Sequence, residues 1–252
     1  MNELFNFATI DLTELNAQAE LLRRFDTKYL VEVSKLPEMY GALPETTLVL
    51  RNRDVLSAPY TTTYYDTSEL QTYYDHLKQR RKRFKIRTRF YSEPHDGYLE
   101  IKIKKPRGQT EKVRWHLDVP TIGETLSPLH YTLLNGALTS ARYPALHGDY
   151  YNTVQTLFTR TTLFDPVSRE RITVDTDFDV HSQIQQLRLG PHHAIVEIKS
   201  PTKVGRTHRI FTSLGIRPIS LSKYCLAMTA LRPDLGGTPW REALRIMGTT
   251  RP

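Results

Sequence analysis

Arg83-Phe84-Lys85-Ile86-Arg87-Thr88-Arg89-Phe90 alternates cations with apolar or uncharged residues. Side chains two apart on a β-strand share a face. A strand over 83–92 therefore puts Lys85, Arg87 and Arg89 on one side and Phe84, Ile86, Thr88 and Phe90 on the other. The pattern returns twice. In 97–105, Glu100, Lys102 and Lys104 oppose Leu99, Ile101 and Ile103. In 110–119, Lys112, Arg114, His116 and Asp118 oppose Val113, Trp115, Leu117 and Val119. The breaks, Pro94-His95-Asp96-Gly97 and Pro106-Arg107-Gly108, are turn sequences, so the spacing predicts an antiparallel meander.

Outward from this core, further strands are predicted over 25–32, 60–66, 153–165, 169–178, 181–189 and 193–200. Arg171, Thr173 and Asp175 oppose Ile172 and Val174, and Glu197 and Lys199 oppose Val196 and Ile198. Helices are predicted over 34–43, with Ser34 as N-cap, over 68–79, with Ser68 and Gln71 as a capping box, and over 125–137, 203–214 and 221–231. The class is α+β. Residues 1–232 read as one domain, followed by a tail, 233–252, of loop ending in a short helix or disorder. Amphipathic helices need apolar partners, and the apolar side of the sheet supplies them. A sheet of about eight strands that curls then turns its charged side inward. Buried, unpaired cations cost several kcal/mol each, so such an interior needs carboxylates, water or a polyanion. Glu100 and Glu197 each stand in a Glu-x-Lys pair and are available counter-charges.

Composition narrows the partner. The 252 residues carry 35 Lys and Arg against 27 Asp and Glu, a net charge of +8, which predicts an anionic ligand. Hydrophobic residues are 39 % and charged residues 25 %, the mixture of a globular chain. No run approaches the roughly 18 apolar residues of a membrane span, and residues 1–11 lack a signal-peptide pattern. The single cysteine, Cys225, excludes an internal disulfide and a cysteine-based zinc cluster, and reads as core. A cytoplasmic setting is expected, including the inner face of a membrane. There is no Gly-x-x-x-x-Gly-Lys, Gly-x-Gly-x-x-Gly or His-Glu-x-x-His. His192-His193 reads as a turn pair, and Tyr64, Tyr65, Tyr73 and Tyr74 as packing residues, with base stacking the alternative.

Several fragments, in order, carry a resemblance: Phe25-Asp26-Thr27-Lys28-Tyr29-Leu30, Tyr64-Tyr65-Asp66-Thr67, Lys85-Ile86-Arg87-Thr88-Arg89, Glu100-Ile101-Lys102, Thr159-Arg160-Thr161, Arg171-Ile172-Thr173-Val174-Asp175, Val196-Glu197-Ile198-Lys199 and Ser222-Lys223-Tyr224-Cys225. Together they resemble the VTC domain, the polyphosphate polymerase domain of the vacuolar transporter chaperone complex, within the triphosphate tunnel metalloenzyme (CYTH-like) superfamily. The resemblance implies an eight-stranded antiparallel tunnel with a charged interior and helices outside. It implies transfer of the γ-phosphoryl group of ATP to inorganic polyphosphate, with Mn²⁺ or Mg²⁺. By resemblance Arg87 and Arg89 hold the triphosphate, and Lys28, Lys102, Arg160, Arg171 and Lys223 contact phosphate. Lys112 or Arg114 fills the basic position of the third meander strand, and Glu197 ligates the metal, with Glu100 as a second candidate. Lys85, Lys104 and Lys199 join the phosphate-binding set by sharing the charged face. A separate membrane protein is an allowed partner, and no specific nucleic acid is implied.

One departure stands out. Hydrolytic members begin with Glu-x-Glu-x-Lys, where this chain has Arg24-Phe25-Asp26-Thr27-Lys28. Carboxylate is thereby lost from the first strand, which favours the polymerase over a triphosphatase. The remaining alternatives are a non-catalytic polyanion-binding module and a nucleic-acid-binding surface.

Overall fold

The computed structural model describes residues 2–18, 25–52, 54–91, 93–105, 110–117, 124–235 and 239–250. Arg24, Asp118 and the expected turn at Pro106-Arg107-Gly108 lie outside them. The strands are β1 (Ala8–Ile10), β2 (Phe25–Glu32), β3 (Leu48–Leu50), β4 (Ser57–Asp66), β5 (Arg83–Tyr91), β6 (Glu93–Lys104), β7 (Thr110–Leu117), β8 (Tyr151–Asp165), β9 (Glu170–His181), β10 (Gln186–Leu189), β11 (His193–Ser200) and β12 (Thr249–Thr250). The helices are α1 (Leu12–Gln18), α2 (Leu36–Gly41), α3 (Gln71–Leu77), α4 (Pro128–Ser140), α5 (Arg206–Ser213), α6 (Lys223–Leu231) and α7 (Arg241–Met247).

Strands β5, β6 and β7 form the expected meander, with Lys85 opposite Lys102 and Lys102 opposite Lys112. The wall runs β7-β6-β5-β4-β8-β9-β11-β2, eight strands joined only by antiparallel ladders. The other four strands extend it. β3 continues the β4 side of β8 and carries β1, while β10 continues the β11 side of β9 and carries β12. Among the described residues β2 and β7 do not pair, so the sheet is an open curl rather than a closed barrel.

Helices cover the convex face. Ile86, Leu99, Ile101 and Ile103 pack with Leu134 and Leu138 of α4. Val174, Val196 and Ile198 pack with Phe211 of α5 and Met39 of α2. The concave face divides along its length. On β8, Arg160 and Thr162 share a parity with Val154 and Phe158, and the latter two join Phe178, Val180 and Ile195 in an apolar patch. Helix α6 seats on this patch, inside the curl rather than outside it. A helix apolar on all sides belongs in an interior, and Tyr224, Cys225, Leu226 and Ala227 are all fully buried. The thiol of Cys225 is core, as its setting in the sequence suggests.

Local details differ from the sequence reading for identifiable reasons. Pro94 to Gly97, expected as a turn, run inside β6, because the ladder shifts register between Phe90 and Tyr91 and absorbs the extra residues as a bulge. A Cβ on Gly97 would press into the Phe90 ring, which would have to shift. Helix α3 starts at Gln71 and is capped by Asp66 rather than Ser68. The Asp66 carboxylate accepts from the backbone N–H groups of Thr72 and Tyr73 and from the Tyr224 hydroxyl at 2.5 Å. Helix α2 begins at Leu36, after a 3-10 turn at Val33–Lys35, without a side-chain cap from Ser34. Helix α4 is capped by Ser127, whose hydroxyl accepts from the His130 N–H.

The segment after Pro233 packs against the core. Trp240, Ala243 and Met247 are buried beside α6, and β12 pairs with β10. Met247→Ala is expected to cost roughly 2 kcal/mol, the low end for a buried methionine, because a terminal helix relaxes into the space. Urea denaturation of the variant measures this directly. An unchanged midpoint would show that α7 adds nothing to the folded unit.

A basic tunnel as the candidate active site

The curl encloses a cavity of about 540 Å³. Thirteen Lys and Arg side chains line it, against two carboxylates, Asp26 and Glu197. The wall is built by parity. Arg83, Lys85, Arg87 and Arg89 come from β5, Lys102 and Lys104 from β6, and Lys112 and Arg114 from β7. Arg160 comes from β8, Arg171 from β9, Glu197 and Lys199 from β11, and Lys28 from β2. Lys223 enters from the first turn of α6. The structure therefore brings together at the cavity surface all the residues nominated from the sequence except Glu100, which shares the face of Lys102 and Lys104 but is buried beneath Arg87 and Lys112.

Three carboxylates organise these cations. Glu100 is fully buried. Its Oε2 accepts from Arg87 Nε at 2.7 Å, and its Oε1 pairs with the Lys112 ammonium. Burial alone would raise its pKa, but Arg87, Arg89 and Lys112 hold it far below the usual carboxylate range. With both oxygens engaged by cations, Glu100 acts as the anchor of Arg87 and Lys112, and its carboxylate does not open onto the cavity as a metal ligand would. Asp175 plays the same part on the opposite wall. Arg160 binds it through two hydrogen bonds, Nε to Oδ1 at 2.6 Å and the second nitrogen to Oδ2 at 2.8 Å, while Lys223 reaches Oδ2 at 2.6 Å. Asp175 is not among the residues nominated from the sequence, although it shares the charged face of Arg171 and Thr173. Its role follows from the β8–β9 register, which sets Arg160 against Asp175.

Glu197 is the third carboxylate, and it does face the cavity. Lys199 lies 3.4 Å from Oε1 and Lys28 3.9 Å from Oε2. Burial opposes its charge, but Lys199, Lys28, Lys102 and Lys223 keep it ionised well below the ordinary range. Lys102 answers from the far wall and has no ion-pair partner among the described residues. Burial and Arg87 push its pKa well down, and Glu197 only partly offsets them.

The remaining cations are held more lightly. Arg89 donates to Thr62 Oγ1 at 3.0 Å and lies over the Tyr60 ring. Lys85 donates to Ser222 Oγ at 2.8 Å and approaches His76 Nε2 at 3.3 Å. Desolvation lowers Lys85, Lys112 and Lys199 to about 8. His76 falls to about 3 through burial beside Lys85, so it is neutral. Arg114 lies 4.8 Å over the ring of Tyr98. Tyr64, Tyr65 and Tyr73 are buried packing residues, with Tyr64 also touching the cavity.

This is a polyanion-binding geometry. Planar guanidinium forks bind phosphate bidentately and stay charged, while lysines supply point charge. Among the described residues no three His, Cys, Asp or Glu side chains cluster as a metal site. His193 opens β11 and joins no such cluster. A hard divalent ion commonly takes one or two carboxylates and completes its shell with substrate phosphates and water. Glu197 fits that arrangement as a single protein ligand.

A family model for the VTC domain matches residues 23–232. The chain belongs to the VTC-domain family. Solved structures similar to this VTC domain include three with identities of 12 to 14 %. One is an adenylate cyclase candidate from Bacillus halodurans, 12 % identical with a TM-score of 0.46, over 78 % of this chain and 92 % of that one. A protein from Pyrococcus horikoshii is 13 % identical with a TM-score of 0.45, over 84 % and 99 %. An adenylyl cyclase candidate from Hippeastrum, described as having a dominant triphosphatase activity, is 14 % identical with a TM-score of 0.47, over 82 % and 96 %. No curated protein matches the chain. No helix among the described residues is long and apolar enough to cross a membrane.

Proposed function

We propose that this VTC domain is a polyphosphate polymerase that transfers the γ-phosphoryl group of ATP to the end of an inorganic polyphosphate chain. The observation that carries the reading is the balance of the cavity wall, thirteen cations to two carboxylates, within a member of this family. Phosphoryl transfer needs positioning and charge neutralisation more than covalent help. Arg87 and Arg89 would grip the triphosphate at its transferred γ-phosphoryl group, with Lys102 and Lys223 beside it as the other catalytic residues. Lys28, Lys85, Lys104, Lys112, Arg114, Arg160, Arg171 and Lys199 would hold the rest of the two anions. Glu197 would hold Mn²⁺ or Mg²⁺, which supplies charge neutralisation at the phosphate oxygens.

The attacking group is a terminal phosphate oxygen, which is already ionised and needs no base. A triphosphatase must instead orient and deprotonate water. Glu197, the buried carboxylate facing the cavity, is flanked by Lys28 and Lys199 and is poorly suited to accept a proton. The test is incubation of the purified protein with ATP and Mn²⁺, with products resolved on a polyphosphate-stained gel. A ladder of chains is expected. Phosphate release without a ladder would replace the reading with hydrolysis.

The cation wall also predicts opposite pH dependences. Lys85, Lys112 and Lys199 bind protons in the folded protein only below about 8, but up to the ordinary lysine value of 10.5 when unfolded. Between these limits the unfolded chain holds more protons, so stability of the free protein rises with pH. Triphosphate affinity should fall over pH 7–9 as the same lysines discharge. Titration calorimetry at pH 8 should show net proton uptake on binding, read as an enthalpy that varies with the ionisation enthalpy of the buffer. Uptake of no protons would refute this account of the wall.

A further inference from the structure

Asp66 is a buried carboxylate that the proposed reaction does not use. Glu100, Asp175 and Glu197 each answer to cations. Asp66, fully buried at the end of β4, is held instead by neutral donors. Its Oδ1 accepts from the Thr67 and Thr72 N–H groups, both at 2.8 Å. Its Oδ2 accepts from the Thr72 hydroxyl at 2.7 Å, the Tyr73 N–H at 2.9 Å and the Tyr224 hydroxyl at 2.5 Å. The first four bonds order the turn into α3. The fifth reaches across 158 residues to the first turn of α6.

That fifth bond has a task that packing cannot perform. Helix α6 sits inside the curl, and eight of its nine residues are buried. Its seat, Phe158, Phe178, Val180 and Ile195, is apolar. Apolar contact is non-directional, so a helix buried on all sides can turn or slide on such a seat at little cost. Directional bonds to buried polar groups fix a register. Two such bonds hold α6: Tyr224 to Asp66, and Thr229 to the Tyr73 hydroxyl at 3.1 Å. Both come from the turn that Asp66 organises, since Tyr73 donates its own N–H to Asp66. The Tyr224 ring packs against Tyr64 and Tyr73, with centroids 5.1 and 6.3 Å away.

The register of α6 places Lys223, the residue before Tyr224. Lys223 is buried, and its ammonium meets Asp175 at 2.6 Å, beside Arg160, at the cavity wall. A rotation of the helix by one residue, about 100°, would carry this ammonium out of the site. We propose that Asp66 is a positioning residue of the anion site: through the Tyr224 hydroxyl it sets the rotation of α6 and so aims Lys223 into the tunnel. The inference rests on the polymerase reading for the role of Lys223 and deepens it.

The test is a mutant cycle on inorganic triphosphate affinity, read by titration calorimetry well below the melting temperatures. Tyr224→Phe removes the hydroxyl and keeps the ring. It should weaken triphosphate about fivefold, and Lys223→Ala about tenfold, the scale of a lost hydrogen bond to a charged group. Both act through one ammonium, so the double variant should stay within about twofold of Lys223→Ala. Independent contacts would multiply their losses to about fiftyfold, and that result overturns the proposal. So does Tyr224→Phe with wild-type affinity and a lower melting temperature, the signature of packing alone. Asp66→Ala also uncaps α3. On that background, where it folds, Tyr224→Phe should change affinity by less than about twofold. A further loss of the size seen in wild type would show that the tyrosine acts without Asp66 and would overturn the proposal.

The polymerase assay separates this inference from the reading beneath it. With ATP and Mn²⁺, kcat of Tyr224→Phe should fall more than KM rises, again without adding to Lys223→Ala. A wild type that binds triphosphate but builds no polyphosphate removes the polymerase reading, while the affinity cycle still decides the role of Asp66. A wild type that does not bind triphosphate overturns both.

Discussion

Asp175→Ala is expected to destabilise the free protein by about 3–5 kcal/mol, the usual cost of removing one partner of a buried charge cluster. The variant should then be rescued by inorganic triphosphate to a greater extent than wild type gains. Asp175 is fully buried, and its two oxygens neutralise Arg160 and Lys223. Without it, two desolvated cations that meet at one carboxylate oxygen, each 5.2 Å from the Phe158 ring centre, are left facing each other unneutralised. A phosphate group entering the tunnel restores the missing negative charge, so the ligand binds the variant more tightly and stabilises it more. Thermal denaturation with and without triphosphate reads both effects. A large loss of stability with no enhanced rescue would mean that Asp175 holds the strands together and has no bearing on the anion site. Asp175→Asn keeps the side-chain shape but turns one acceptor oxygen into a donor facing Arg160 or Lys223, so it removes the charge at nearly constant volume.

The same reasoning explains why the tunnel is stable when empty. Its cations are not all paired, and desolvation discharges some of them partly, as the lowered Lys85, Lys112 and Lys199 show. Six of the cations, Lys112 and Lys199 among them, are also held by carboxylates: Glu100 between Arg87 and Lys112, Asp175 between Arg160 and Lys223, Glu197 between Lys28 and Lys199. A polyanion competes with these carboxylates and recharges the lysines. Binding and protonation are thus coupled through one set of side chains.

Strand parity makes the charged wall legible in the sequence. The alternation in 83–104 and again in 110–117 survives folding almost unchanged, because period-two patterning fixes which face each residue takes. What parity cannot report is which strands adjoin. The pairing of Arg160 with Asp175 needs the β8–β9 register, so sequence alone passes over Asp175 and reads Glu100 as an open ligand. Short elements are equally illegible. β1, β3 and α1 span three to seven residues and are fixed by tertiary contacts such as Leu15 on Phe164. Helix α6 is legible as a helix, but its position inside the curl is not. That position depends on the concave face turning apolar beyond Arg160, at Phe158 and Val154.

Arg87 carries the second large effect. Arg87→Lys should reduce polymer synthesis from ATP by about 10³-fold, the lower bound for losing an arginine that neutralises a transferring phosphoryl group. Among the described residues Arg87 is the only guanidinium bonded to Glu100, at 2.7 and 2.6 Å, and that carboxylate holds the guanidinium in the cavity wall. Lysine keeps the charge but presents a single point donor in place of two parallel N–H groups. The loss should therefore appear in turnover more than in triphosphate affinity, which twelve other cations sustain. Arg87→Ala is a harsher change, since it strands Glu100 in a buried site with Lys112 alone. The pair Arg87→Ala/Glu100→Gln removes that penalty by neutralising both partners, and should keep its melting temperature while remaining inactive. A folded double variant that builds polyphosphate at the wild-type rate would remove Arg87 from the reaction. It would also leave the β5–β7 meander as a wall that binds phosphate without acting on it.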